Sequence, residues 1–186
     1  MSKALLALLD DTGFDGASVL EFGCGLGALT RELVARGASR GDGIDLSPAS
    51  IAEATRFAAD AGLGDRTSFV VGDGATVPLV PHDVVVLDKV LCCYSDVDAL
   101  LTNSAGVARR TYAFVAPVSW GWRSVMAKVG LALVNAFERI VTRSDFRVFV
   151  HDLRRVEARL ASSGFRRVRA ETHAMWYVAV HSRAAP

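Results

Sequence analysis

What the 186-residue sequence has little of narrows its chemistry first. It holds three cysteines, two of them adjacent as Cys92-Cys93, which is too few and too poorly spaced for a disulfide framework or a structural zinc site. A reducing, cytoplasmic compartment and no bound metal are therefore expected. The formal charge is only +1, which gives no general electrostatic drive toward nucleic acid. The one basic cluster, Arg166-Arg167-Val168-Arg169, alternates as a solvated edge strand would. No uninterrupted apolar segment reaches the ~20 residues of a membrane span. The run Ala4-Leu5-Leu6-Ala7-Leu8-Leu9 is short and is followed at once by Asp10-Asp11 without a small-residue cleavage site, so it reads as a helix packed on the domain. Internal repeats and low-complexity tracts are lacking as well. At 51% hydrophobic and 22% charged residues, the length fits one globular domain over residues 1–186 with a sizeable core.

What is there begins with Val19-Leu20-Glu21-Phe22-Gly23-Cys24-Gly25-Leu26-Gly27, a buried strand running into an acidic residue and three alternating glycines, with a helix directly behind. Such glycines allow a tight turn and a close approach by a ligand, and the helix start offers N–H donors and a positive dipole end. The loop also satisfies the dinucleotide pattern G-x-G-x-x-G/A through Ala28. Three later strand ends decide between the readings. Gly43-Ile44-Asp45-Leu46-Ser47 places a carboxylate where a ribose diol can bind, Gly72-Asp73-Gly74 follows a third strand, and Asp88 ends a fourth, Asp83 to Asp88. Asp83 itself reads as loop punctuation.

As a set, these motifs over residues 17 to 181 resemble the class I S-adenosylmethionine-dependent methyltransferases. The resemblance implies S-adenosylmethionine as cofactor, with Glu21, Gly23, Cys24, Gly25 and Gly27 around its methionine part. It also implies Asp45 on the ribose, Leu46 with Asp73 and Gly74 at the adenine, and Asp88-Lys89 below the sulfonium. Two readings compete with an enzyme of this kind: a non-catalytic cofactor-binding module of the same fold, and a nicotinamide-dependent oxidoreductase, which Glu21 directly before the glycine loop disfavours. The short stretch before the first strand departs from the family, whose N-terminal helices often close the donor site; a later insert, or a second subunit in a homodimer, is expected to replace them.

Alternating strand and helix patterns predict a Rossmann-like, doubly wound α/β fold with a mostly parallel seven-stranded sheet and a C-terminal antiparallel strand. Strands are expected at 18–22, 67–71, 83–88 and 111–116. Ser47-Pro48 is expected to cap one helix, a Ser95-x-x-Asp98 box another, and Asp152 a third. Residues 17–116 form the cofactor half, 117–150 a helical insert after strand five, and 151–186 the last helix and strand pair. In the insert, apolar residues from Val125 to Val141 recur at three- and four-residue steps. Its expected role is a lid and acceptor pocket with Trp120, Trp122, Phe146 and Arg147 facing the substrate; a packing helix and a membrane-surface helix are the alternatives.

The reaction implied by the resemblance is methyl transfer to a small, fairly apolar acceptor by O- or C-methylation. After strand four stand Asp88-Lys89-Val90-Leu91-Cys92-Cys93-Tyr94, unlike the Asn/Asp-Pro-Pro-aromatic tetrapeptide of amino-group methyltransferases. His151, at a loop-to-helix junction and titrating near neutrality, is the expected base, and Tyr94 the expected orienting group. His82 reads as a loop residue and His173 as a hairpin-turn residue. The overall plan resembles that of magnesium-protoporphyrin and other small-molecule O-methyltransferases, although no specific motif carries that finer likeness.

Overall fold

The computed structural model describes residues 2–137 and 147–183. Helix α1 (Ser2–Thr12) precedes β1 (Ser18–Phe22), α2 (Ala28–Ala35), β2 (Arg40–Asp45), α3 (Pro48–Asp60), β3 (Thr67–Val71) and β4 (His82–Asp88). Helix α4 (Val97–Gly106), β5 (Ala108–Pro117), α5 (Gly121–Phe137), α6 (Leu153–Ser162), β6 (Phe165–His173) and β7 (Trp176–Arg183) complete it. The seven strands form one sheet in the order β3-β2-β1-β4-β5-β7-β6, and β7 runs antiparallel to both of its neighbours. This is the doubly wound, Rossmann-like arrangement that the strand and helix alternation predicts.

Local chemistry sets the element boundaries. Ser47 accepts a hydrogen bond from Ser50 N ahead of Pro48 at the first helical position, so a fixed φ and a satisfied donor start α3 together. Asp152 likewise accepts from Arg154 N at the start of α6. Helix α4 differs from its expected cap: Asp96, not Ser95, accepts from Ala99 N, because the helix begins one residue later and the carboxylate is then the group in reach. In α1, Leu5, Leu6, Leu8 and Leu9 are buried, as the short apolar run implies.

Burial on both faces explains the near-continuous apolar strands. On one face Leu5, Leu9, Leu29 and Leu33 pack with Val84, Val86, Val178 and Val180. On the other, Leu100, Leu101, Val156 and Leu160 pack with Tyr112, Phe114 and Ala179. Strand β6 is exposed beyond Phe165, which places the arginine cluster on a solvated edge.

Two polar residues of β4 correct their sequence reading. Asp83 is not loop punctuation: its carboxylate accepts from both Ser18 N and Ser18 Oγ at 2.9 Å, and the Ser18 N–H holds its pKa below the usual carboxylate range. It stitches the start of β4 to that of β1. His82 is not a loop residue either. It is buried in β4, with Nδ1 at 2.8 Å from the Val80 carbonyl and Nε2 at 2.9 Å from Asp42 Oδ2.

Candidate active site

Parallel pairing brings the ends of β1, β2, β3 and β4 to one edge of the sheet, where ligands of open α/β folds sit. The glycine loop leaves β1 there with Gly23, Gly25 and Gly27 at φ of 61°, 51° and 67°. The three differ in purpose. A Cβ on Gly23 would meet the Val90 side chain at 2.5 Å and one on Gly27 the Phe69 ring at 2.7 Å, whereas nothing lies within 4 Å of one on Gly25. The outer two glycines permit internal packing, and Gly25 is the one that opens toward a ligand.

Asp45, at the end of β2, ties this loop in place. Its Oδ2 accepts from Gly25 N and its Oδ1 from Ser47 N, both at 2.9 Å; each oxygen keeps a further lone pair for a diol. Glu21 is buried beneath the loop and accepts from Thr30 N at 3.0 Å and from the Thr30 hydroxyl, capping α2. Burial pushes its carboxyl up to about 8 against the Thr30 bonds, with Asp88 and Asp45 adding repulsion. Three carboxylates therefore share one electrostatic neighbourhood.

Asp88 closes the group. Its Oδ2 accepts from Ser2 Oγ, while its Oδ1 is buried with no hydrogen-bond partner among the described residues. Short as the stretch before β1 is, the first turn of α1 touches the end of β4 through this bond. Lys89 holds φ at 64°, an uncommon conformation for a side-chain-bearing residue, with Nζ 3.9 Å from Asp88 Oδ2.

Two hollows meet at Gly23, Asp88 and Lys89. One of about 480 Å³ is lined by Ser2, Glu21, Cys24 and Leu26, and one of about 310 Å³ by Asp45, Leu46, Gly74 and Tyr94. Leu46 is exposed at its rim. A larger cleft of about 660 Å³, lined by Trp120, Glu157, Arg167 and Tyr177, lies between α6 and β6 and holds none of these groups.

Asp73 and Gly74 are fixed by Tyr94, whose hydroxyl donates to Asp73 Oδ1 at 2.9 Å and accepts from Gly74 N at 3.1 Å. Burial and the adjacent Asp73 raise the Tyr94 pKa to about 12. Tyr94 thus braces the loop after β3, and its hydroxyl is committed there instead of being offered to an acceptor.

His151 joins the same wall. Its Nε2 lies 2.8 Å from the Tyr94 carbonyl, an acceptor only, so Nε2 carries the proton and Nδ1 the lone pair. Phe149 stacks on its ring at 5.8 Å and bonds through its N–H to the Cys92 carbonyl. Arg147 is half-buried in the stretch leading there. Of the insert's described aromatics, Trp120 and Trp122 line neither hollow at Asp88, against the expectation that they face the substrate. Trp120 packs edge-on against Tyr177 at 5.2 Å in the α6–β6 cleft. Trp122 is 72% exposed on α5. Phe146 lies outside the described residues.

Sequence reasoning missed Ser2, which is 86 positions from its partner Asp88 and carries no local signal. It also missed the Ser47 N–H on Asp45, for which the Asp-x-Ser spacing of an Asx-turn was available.

A family profile for the methyltransferase domain matches residues 19–111, and the chain belongs to the class I S-adenosylmethionine-dependent methyltransferase family. It is 38% identical over 77 residues to the rice (Oryza sativa subsp. japonica) protein named "Probable tocopherol O-methyltransferase, chloroplastic", covering 41% of this chain and 21% of that one. It is 34% identical over 89 residues to the trans-aconitate 2-methyltransferase of Streptomyces avermitilis, covering 47% and 33%. The chain thus spans a fifth to a third of these relatives' lengths. In fold it is similar to the magnesium protoporphyrin IX methyltransferase of Synechocystis PCC 6803, crystallised with S-adenosylhomocysteine, at a TM-score of 0.74 and 23% identity over 98% of this chain and 80% of that one.

Proposed function

We propose that the chain binds S-adenosylmethionine in the cleft between β1, β2 and β4 and transfers its methyl group to a small, fairly apolar acceptor, by O- or C-methylation. The observation that carries this is the convergence of Glu21, Asp45 and Asp88 on the glycine loop, with one buried Asp88 oxygen unpaired among the described residues. Such a cleft suits a ligand that is cationic at one end and carries a ribose diol. A pyrophosphate would meet carboxylates there. A buried unpaired carboxylate oxygen costs on the order of 1–3 kcal/mol, which an ammonium donor to Asp88 Oδ1 would recover.

S-adenosylmethionine, when bound, supplies a methyl group already activated on a cationic sulfur. The chain's own residues then have three tasks. Asp45 takes the ribose hydroxyls while keeping Gly25 in place, Leu46 with Asp73 and Gly74 borders the adenine, and Glu21 with Asp88 offsets the positive charge. Alignment of this kind supplies up to ~7–11 kcal/mol of a barrier. His151 Nδ1 is the atom to receive a proton from a hydroxyl or acidic carbon. The insert 117–150 is the acceptor side, with Arg147 favouring an electron-rich group. An apolar groove of about 210 Å³ between α5 and the end of β5, lined by Met126, Leu131, Val148 and Trp176, supports an apolar acceptor.

The test is release of S-adenosylhomocysteine from labelled donor across a panel of phenols, carboxylic acids and activated carbon acids. Transfer to an apolar member, lost in His151→Ala, supports the reading. Donor binding without transfer to any member points to the non-catalytic module.

A further inference from the structure

Helix α5 is turned the wrong way for a packing helix. Its inward residues include the buried Ser124 and the half-buried Asn135, whose side chain bonds both ways with the Val148 backbone at 2.8 and 2.9 Å. Its outward residues are apolar: Val125, Met126, Val129 and Leu133 are 60%, 55%, 54% and 68% exposed. With Trp122 they recur at steps of three and four, which places them on one stripe about one third of the helix circumference wide. Contiguous exposed apolar surface of this kind marks an interaction site.

Charge selects the occupant. The helix Gly121–Phe137 contains Arg123 and Lys128 and no acidic residue, and residues 117–150 carry five basic side chains against two acidic, in a chain whose formal charge is +1. Lys128 is exposed and, by helical spacing, flanks the stripe. Two copies of this helix laid stripe to stripe would bring cations together with no carboxylate on either helix to offset them. An anionic lipid surface offers both phases at once, acyl chains for the stripe and phosphates for the cations, with long cationic stems reaching outward and tryptophan at the boundary level. No helix among the described residues is long and apolar enough to cross a membrane, so the contact is with a surface.

We propose that α5 is a docking element for an anionic membrane surface, laid in the interface by its Val125–Val129–Leu133 stripe. The apolar groove behind α5 then faces the lipid, and an acceptor dissolved in the bilayer is the class of substrate it would admit; that consequence, though not the docking, rests on the methyl-transfer reading.

Flotation of the full chain with vesicles of phosphatidylglycerol and phosphatidylcholine, in the absence of any donor, tests the docking. The chain is expected to float with these vesicles, less with phosphatidylcholine alone, and less again in about 0.5 M salt, where screening is short-ranged. Replacing Val125, Val129 and Leu133 with Asp should cut partitioning roughly tenfold or more, as loss of buried apolar area dictates, without shifting the melting curve. Lys128→Glu, a milder change, should weaken anionic vesicles only. No flotation with the anionic vesicles overturns the proposal, as does flotation indifferent to salt and to both variants. So does a wild-type dimer that the Asp variant converts to monomer. Because no donor is present, these outcomes are separate from the methyl-transfer reading, which stands or falls on S-adenosylhomocysteine binding.

Discussion

The strand ends of β1 to β4 and the helix α5 are both rich in apolar sequence, yet they use it in opposite ways. At the ends of β1 and β4 the apolar residues Leu20, Phe22, Val86 and Leu87 are buried, and polar side chains around the cleft are claimed by neighbouring elements: Glu21 by Thr30, Asp45 by Gly25 and Ser47, Asp73 by Tyr94. In α5 the apolar stripe faces solvent and the polar Ser124 and Asn135 face the body. The first region is finished before a ligand arrives, with a rigid frame around one open glycine and one unpaired carboxylate oxygen. The second is left uncovered among the described residues.

Breaking the frame should have the largest effect. Gly25→Val puts a branched side chain into the open approach and into a left-handed conformation, so S-adenosylhomocysteine binding should vanish in calorimetry while circular dichroism still reports a folded chain. Binding at wild-type affinity would make Gly25 no more than a turn residue. His151→Ala should lower turnover by on the order of 10²-fold with little change in donor affinity, and remove the acid limb of the rate profile. An unchanged pH profile would take His151 out of the chemistry. Asp45→Ala should cost ~1.5–3 kcal/mol of donor affinity, as a charge-assisted partner is lost.

These effects concern residues whose identity was legible in the sequence. Strand β1 shows in its apolar run, and the Ser47-Pro48 start of α3 and the Asp152 cap are set by side chains 3 and 2 positions from the groups they bond, so local sequence alone reveals them. What was not legible rests on long-range partners: Asp83 with Ser18, Tyr94 with Asp73 and His151 with Tyr94, respectively 65, 21 and 57 positions apart. Tyr94 looked available from its place after β4, and only the fold shows its hydroxyl spent on the neighbouring loop. For α5 the period reveals the apolar stripe but not the direction it points, which only the fold supplies.

A packing contrast sharpens the comparison further. Leu100→Ala, in the core beside Phe114, should cost ~2–5 kcal/mol, whereas Leu133→Ser on the outer face of α5 should stay within about 0.5 kcal/mol, both read from denaturant melts. A large loss at Leu133 would mean that the stripe is covered within the chain.

Glu21 gives the smallest and most specific signal. Its folded pKa of about 8 lies above the ordinary 4.5, so the folded chain retains a proton that the unfolded chain releases. Its contribution to stability is full below about 4.5 and is lost as pH rises through about 8. The melting temperature should therefore decline between these values, and Glu21→Gln should flatten the decline. A cation in the cleft favours the ionised carboxyl, so S-adenosylmethionine binding near neutral pH should release protons, seen as buffer-dependent heats. Stability of the wild-type chain that rises over this range would place Glu21 in a more polar setting.

The central claim, that the three carboxylates and the open glycine form a seat for S-adenosylmethionine, is tested most directly by thermal melts with S-adenosylhomocysteine and with NAD. At ~100 times its dissociation constant, S-adenosylhomocysteine should stabilise the chain by ~2.7 kcal/mol, while NAD at the same concentration leaves the melt where it was. A shift with NAD and none with S-adenosylhomocysteine would contradict the account.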